Sequence, residues 1–305
     1  LIAGDYLKKT TKARIFLLLS LPICLGLLLE VLAWANVRSE RSARAYLGDK
    51  LFTVERGVAE NPVVFIAGLE GSTRYWGNVL DVLERDHRLL FVDALGFGRS
   101  PWPVREPDID DHVEWLRRTL LARKATAHVT IVAHSFGTIL AAHYAARYPG
   151  EVERLVLLGT PIYDDPEDAR TRISKMSGMA ALYAFAPFAA RETCLIMGAA
   201  RPLLERLLPA VTRVPREVAE DAVLHDWPSI NGAISNVLLS RPIAVPLATL
   251  GAKTIFVHGR TDQVTPVKRV IALAQRVGAR VDLVPGDHQA YLTDGRDAVL
   301  AAIRE

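Results

Sequence analysis

Val129-Thr130-Ile131-Val132-Ala133-His134-Ser135-Phe136-Gly137-Thr138 is the stretch on which the reading of this chain turns. An apolar, β-branched run enters a small-x-Ser-x-Gly turn. A helical stretch from Phe136 to Arg147 follows and is closed by Pro149-Gly150. Strand, tight turn and helix in that order lift a serine hydroxyl clear of the backbone at the end of a strand. The flanking residues must be small because the turn is sharp and the helix packs close to the strand. The same geometry aims the Phe136 N–H at negative charge developing above Ser135. The plainer reading is a serine in an ordinary tight turn.

On either side of this segment, short apolar runs alternate with amphipathic ones. Val63–Ile66, Leu89–Val92, Leu155–Leu158, Lys253–His258 and Val281–Val284 read as strands. Trp76–Arg85, Asp110–Leu121, the stretch around Ala274 and Asp297–Arg304 read as helices. Such alternation implies an α/β fold with a mostly parallel, doubly wound sheet covered on both faces. From Asp164 to about Pro246 the rhythm breaks. Helical patches at Lys175–Tyr183, Leu195–Leu207, Pro215–His225 and Ile230–Leu239 are separated by prolines, with no strand among them. The expected organisation is a core over 50–163 and 247–305, a helical cap over 164–246, and a separate N-terminal unit over 1–36.

Composition narrows the function classes. Half of the 305 residues are hydrophobic, which excludes disorder as the dominant state. Lys plus Arg number 37 against 34 Asp plus Glu, and a net charge of +3 gives no case for nucleic acid. Two cysteines, Cys24 and Cys194, make no disulfide framework, and no Cys/His cluster has zinc-ligand spacing. No metal is expected.

At the N-terminus, Lys8, Lys9, Lys12 and Arg14 precede the apolar run Ile15–Ala35, interrupted only by Glu30 near one end. At about 1.5 Å per residue a helix of that length reaches roughly 31 Å, about one hydrocarbon core. The expectation is a single membrane helix. Two other readings stay open. One is a signal peptide cleaved after Ala33-Trp34-Ala35, giving a secreted or periplasmic protein. The other is an apolar helix packed on the body. Arg38, Arg41, Arg44 and Lys50 balance the upstream charges, so the sequence sets no orientation.

Ala133-His134-Ser135-Phe136-Gly137 resembles the nucleophile elbow of α/β-hydrolase fold enzymes. The resemblance implies an acid after a later strand and a histidine near the end of the chain. Ile255-Phe256-Val257-His258-Gly259-Arg260-Thr261-Asp262 is similar to the family's HGxxD motif, and Pro285-Gly286-Asp287-His288 to its G-x-H loop. Carried over, Ser135 is the nucleophile, Asp262 the orienting acid and His288 the general base. Taken alone, Asp262 reads as a helix N-cap and His288 as a solvated loop histidine. The conjunction favours the triad, because all three follow strands, at the sheet edge where open α/β folds bind ligands. Asp164 and Asp165 are rivals for the acid, and Asp287 is a further one.

The resemblance also places an oxyanion site at Ala67-Gly68-Leu69-Glu70-Gly71-Ser72, with the backbone N–H groups of Leu69 and Phe136 as donors. The family's usual His-Gly is here Ala67-Gly68. Glu70 is expected to point outward. Asp93-Ala94-Leu95-Gly96-Phe97-Gly98-Arg99-Ser100 is similar to a structural turn of the family and lacks phosphate-loop spacing. Trp76 and Trp102 are candidates for the substrate pocket, with core packing the alternative. Cys194 reads as packing.

The function expected is a serine hydrolase, without metal or cofactor, cleaving an ester or thioester of a fairly apolar acid. The apolar cap residues, Met176, Leu182 and Phe185 among them, suggest the acyl chemistry. A catalytically silent binding protein is one alternative. An acyltransferase or cofactor-free peroxidase with the same triad is another.

Overall fold

The computed structural model describes residues 24–60, 62–176, 178–212 and 214–305. Seven strands form one sheet: β1 (Thr53–Arg56), β2 (Pro62–Ile66), β3 (Arg88–Val92), β4 (Val129–His134), β5 (Val152–Leu158), β6 (Thr254–Gly259) and β7 (Arg280–Val284). Their spatial order is β1-β3-β2-β4-β5-β6-β7. β1 runs antiparallel to β3, and every other pair is parallel. Parallel neighbours need crossovers, which α2 (Ile109–Ala122), α3 (Phe136–Arg147) and α10 (Val267–Val277) supply, while α11 (Arg296–Arg304) ends the chain.

The central strands are mostly apolar because both faces are covered. Their side chains sort with period two. Val64 and Ile66 of β2, Leu90 and Val92 of β3, and Ile131 and Ala133 of β4 enter one core layer with α2 and α3. Val63 and Phe65, Leu89 and Phe91, and Val132 enter the opposite layer with Trp76 and α11. Phe65 is the hub of the second layer, stacked on Phe91 at 4.8 Å and edge-on to Trp76 at 5.2 Å.

Two local expectations give way. Trp76–Arg85 is not a helix. It is two single 3₁₀ turns, Thr73–Trp76 and Asp81–Leu83, separated at Gly77, whose φ of 52° a helix does not accommodate. β1 carried too little apolar signal to be read, being a short, partly exposed edge strand.

Between β5 and β6 the chain is helical: α4 (Pro166–Ile173), α5 (Gly178–Phe185), α6 (Pro187–Val211), α7 (Arg216–Asp221), α8 (Trp227–Gly232), a π-helical turn (Ala233–Leu238) and α9 (Ala244–Leu247). This insertion sits over the loops at the C-terminal edge of the sheet. Arg74 forms ion pairs with Glu220 and Asp221, and Ser72 Oγ donates to Asp221 Oδ2 at 2.5 Å. Ser229 packs so closely on Gly96 that a Cβ there would lie 2.4 Å from its Oγ.

A further helix, α1, covers 24–44. Its second half is clamped to the body. Glu40 pairs with Arg201 of α6 at 2.7 Å, and Arg41 with Asp226 at 3.1 Å. Its first half exposes Leu25, Leu27, Leu28, Val31, Leu32 and Trp34. Among the described residues no helix is long and apolar enough to cross a membrane. The expected span Ile15–Ala35 begins outside the described residues.

Candidate active site

Ser135 sits between β4 and α3 with φ 48° and ψ −121°, a sparsely populated positive-φ conformation that costs a non-glycine residue about 1–3 kcal/mol. Neighbouring contacts hold it there. Ser135 N–H donates to Leu158 O of β5 at 2.9 Å, and its carbonyl accepts from Thr138 N and Oγ1. Gly137 permits the close approach of α3 to β2, since a Cβ there would lie 2.6 Å from Ala67 O.

His288 follows β7 and reaches over the serine. Its Nε2 lies 2.9 Å from Ser135 Oγ, and its Nδ1 lies 2.8 Å from Asp262 Oδ2. All three side chains are buried. Asp262 follows β6, and its Oδ1 accepts from Val264 N–H at 2.8 Å and Thr265 N–H at 3.0 Å. Burial alone would raise the Asp262 carboxyl. The His288 hydrogen bond and charge, with the Thr265 amide, outweigh it and hold the group below the usual carboxylate range. An ionised Asp262 fixes Nδ1–H on His288 and leaves Nε2 free to accept the Ser135 proton.

The rivals for the acid are occupied elsewhere. Asp164 is exposed and pairs with Arg269. Asp165 caps α4, accepting from Glu167 N and Asp168 N. Asp287 accepts from Gln289 N at 2.9 Å.

Gly68 brings the loop after β2 against the serine, where a Cβ would lie 3.2 Å from Ser135 Cβ. Among the described residues neither the Leu69 nor the Phe136 N–H has a protein acceptor. Two free N–H groups flanking a serine are what a developing oxyanion requires.

Several neighbours carried no sequence signal. His134 stacks flat on Tyr75 with ring centroids 5.2 Å apart and donates from Nε2 to the His288 carbonyl at 2.9 Å. Burial pushes its pKa down to about 3, so it stays neutral and steadies the His288 backbone. Gly159, after β5, has φ 54°, and a Cβ there would lie 3.1 Å from His288 Cε1 and Nδ1 and 2.9 Å from Tyr291 Oη. Gly159→Ala is therefore expected to displace the His288 ring. Misplacement by about 1 Å costs roughly 100-fold in rate. Turnover of an ester by this variant, with circular dichroism as the control for folding, checks the effect.

Other expected residues land differently. Trp76 is fully buried in the layer with Phe65. Trp102 is also buried, with the guanidinium groups of Arg44 and Arg201 4.6 and 4.7 Å from its ring centroid. Asp93 is a turn organiser, accepting from the Thr73 and Arg99 amides, and burial raises it to about 6. Cys194 is buried, which pushes its thiol up to about 12.

Glu70 corrects an expectation. With φ 60° it turns under the insertion instead of outward. Its Oε1 lies 4.0 Å from His225 Nε2. Burial raises its carboxyl to about 7, and the neighbouring Tyr183 hydroxyl only partly opposes this.

Comparison with known proteins agrees with this geometry. Residues 61–295 match the sequence profile of the α/β hydrolase fold. A probable lysophospholipase of Arabidopsis thaliana, BODYGUARD 1, is 26% identical over 270 residues, covering 80% of this chain and 58% of the relative. The chain thus spans a little over half the length of that relative. A carboxylesterase structure from Nitrososphaera gargenis superposes with a TM-score of 0.62 at 16% identity, covering 83% of this chain and 93% of the other. An epoxide hydrolase of Bacillus megaterium gives a TM-score of 0.65 at 15% identity, covering 84% and 97%. At such identities the structures share the fold alone. With that fold, the strand–turn–helix around Ser135 and the profile match, the chain belongs to the α/β-hydrolase fold family.

Proposed function

We propose that this protein is a serine hydrolase that cleaves an ester or thioester of a fairly apolar acid through an acyl-enzyme. The observation that carries the reading is the hydrogen-bond chain Ser135 Oγ to His288 Nε2 and His288 Nδ1 to Asp262 Oδ2. Ser135 Oγ attacks the carbonyl carbon while His288 Nε2 takes its proton. The oxyanion forms against the Leu69 and Phe136 amides, each such donor being worth about 3 kcal/mol in the transition state. His288 then protonates the leaving alcohol or thiol. Water, deprotonated by His288, releases the acid and restores Ser135. Asp262 stays ionised and supports the imidazolium.

The Arabidopsis relative, described as a probable lysophospholipase, supports an acyl substrate with an apolar chain. Initial rates on p-nitrophenyl esters of increasing chain length test the reading. A preference for medium or long acyl chains supports it, and equal rates on acetate and longer esters count against the apolar acid.

The basic-then-apolar N-terminal segment is proposed to hold the enzyme at a membrane. The exposed leucines in the first half of α1 support this. Deleting residues 1–36 is expected to shift the protein from the pelleted to the soluble fraction in vesicle sedimentation. Unchanged pelleting would contradict it.

A further inference from the structure

The mechanism makes no use of the apolar surface on the outside of the insertion. Phe185 and Phe188, at the junction of α5 and α6, are 54% and 78% exposed, and Ile196 of α6 is exposed as well. Single exposed apolar residues are ordinary, as at Val58 and Val104 on the body. Large ones gathered on one element mark a surface that meets something apolar.

α1 lies beside this end of α6. Glu40 Oε1 is 2.7 Å from Arg201 Nη1, and a Cβ at Gly198 would lie 3.6 Å from Asn36 Nδ2. Asn36 to Glu40 and Gly198 to Arg201 step in the same sense. The N-terminal ends of the two helices therefore lie on the same side of the contact. From Cys24 to Asn36 α1 extends about 18 Å, and from Pro187 to Gly198 α6 extends about 16 Å.

Both ends are poor in charge. Leu25, Leu27, Leu28, Val31 and Leu32 are exposed around α1, and Glu30 is the only charged residue between Cys24 and Val37. A helix that is apolar all round calls for apolar surroundings. The sequence continues that character upstream to Ile15, behind Lys8, Lys9, Lys12 and Arg14. In α6 the charges of this stretch, Arg191 and Glu192, pair with each other at 2.5 Å. The Arg38 guanidinium lies 5.3 Å from the Trp34 ring centroid, and both residues are exposed. Tryptophan and arginine together suit a headgroup layer. Phe185 and Phe188 precede Gly198, so they lie on the same side of that level as the leucines of α1.

We propose that the α5–α6 junction enters a lipid bilayer beside α1, with Phe185 and Phe188 at the boundary of headgroups and acyl chains. This rests on the reading that the N-terminal segment holds the enzyme at a membrane. The partner is the bilayer itself. Two elements then seat the enzyme on it, and the pairs Glu40–Arg201 and Arg41–Asp226 tie α1 to the insertion.

The test uses the full chain with Cys24→Ser, reconstituted into phosphatidylcholine vesicles. Cys194 is buried and escapes labelling. Phe188→Cys, Leu28→Cys and Val58→Cys each carry a nitrobenzoxadiazole label, and all three positions are exposed, so the fold tolerates them. Quenching by a nitroxide on the lipid acyl chains is compared with quenching by iodide in the water. The Phe188 and Leu28 labels are expected to lose most of their emission to the nitroxide and little to iodide. The Val58 label is expected to do the reverse. A Phe188 label quenched by iodide as strongly as the one at Val58 overturns the proposal. So does a label that neither quencher reaches, the result if a second copy of the chain or residues 1–23 cover the patch. If the Leu28 label reports lipid and the Phe188 label does not, this proposal alone fails. If neither reports lipid, the membrane reading fails with it.

Discussion

Ser135→Ala is expected to lower kcat for ester hydrolysis by about 10⁶-fold, the scale of losing a serine nucleophile that works with a paired histidine. The side-chain oxygen makes one hydrogen bond, to His288, so its removal leaves the turn intact. The positive-φ backbone is held by the Ser135 N–H and C=O, which alanine keeps. The Leu69 and Phe136 amides also remain, as does the binding space. Activity of about 10³–10⁴ over water is thus the expected residue. Rates on a p-nitrophenyl ester, with thermal melts as a folding control, check this. A loss below tenfold would mean that another group attacks the substrate.

Asp262→Asn is expected to cost about 10⁴-fold, through the tautomer of His288. Asparagine can still accept from the Val264 and Thr265 amides through one oxygen. Its NH₂ then faces His288 Nδ1, so Nδ1 must accept and Nε2 carries the hydrogen. An Nε2–H cannot take the Ser135 proton. Because the fold's contacts persist, the melting temperature should move little beside the loss in rate. Asp164→Asn breaks only an exposed pair with Arg269, and exposed pairs contribute about 1 kcal/mol or less. Its rate should stay within about twofold of wild type. The opposite pattern would move the acid to Asp164.

The sheet was legible because six of its strands are apolar runs followed by turn residues, as at Val63–Ile66 and Ile255–His258. β1 was not, since an edge strand needs little apolar surface. The stretch after Trp76 misled because Val79, Leu80, Val82 and Leu83 have helical spacing, while Gly77 at positive φ decides the backbone. Ser135, Asp262 and His288 stood out because each ends a strand with a motif around it. Choosing between Asp262 and Asp164 needed coordinates, because both follow strands and only distance to His288 separates them.

The residues that position the site were less visible. His134 occupies the variable place of its motif, and nothing in the sequence shows that it reaches the His288 carbonyl. Gly159 matters through a clash that a Cβ would make with a residue 129 positions later. Glu70 was misread because a charged residue in a loop is ordinarily solvated. Here a positive-φ backbone brings it within 4.0 Å of the buried His225, in an insertion more than a hundred residues away. Trp76 and Trp102 were ambiguous for the converse reason, since large aromatics serve cores and pockets alike.

The central claim is that His288 activates Ser135. Intact mass after treatment with a fluorophosphonate tests it most directly, on wild type and on Ser135→Ala. The account predicts a single adduct on wild type that maps to Ser135 and is absent from the variant. A folded wild-type protein that takes up no label, or a variant labelled as fully as wild type, would contradict it.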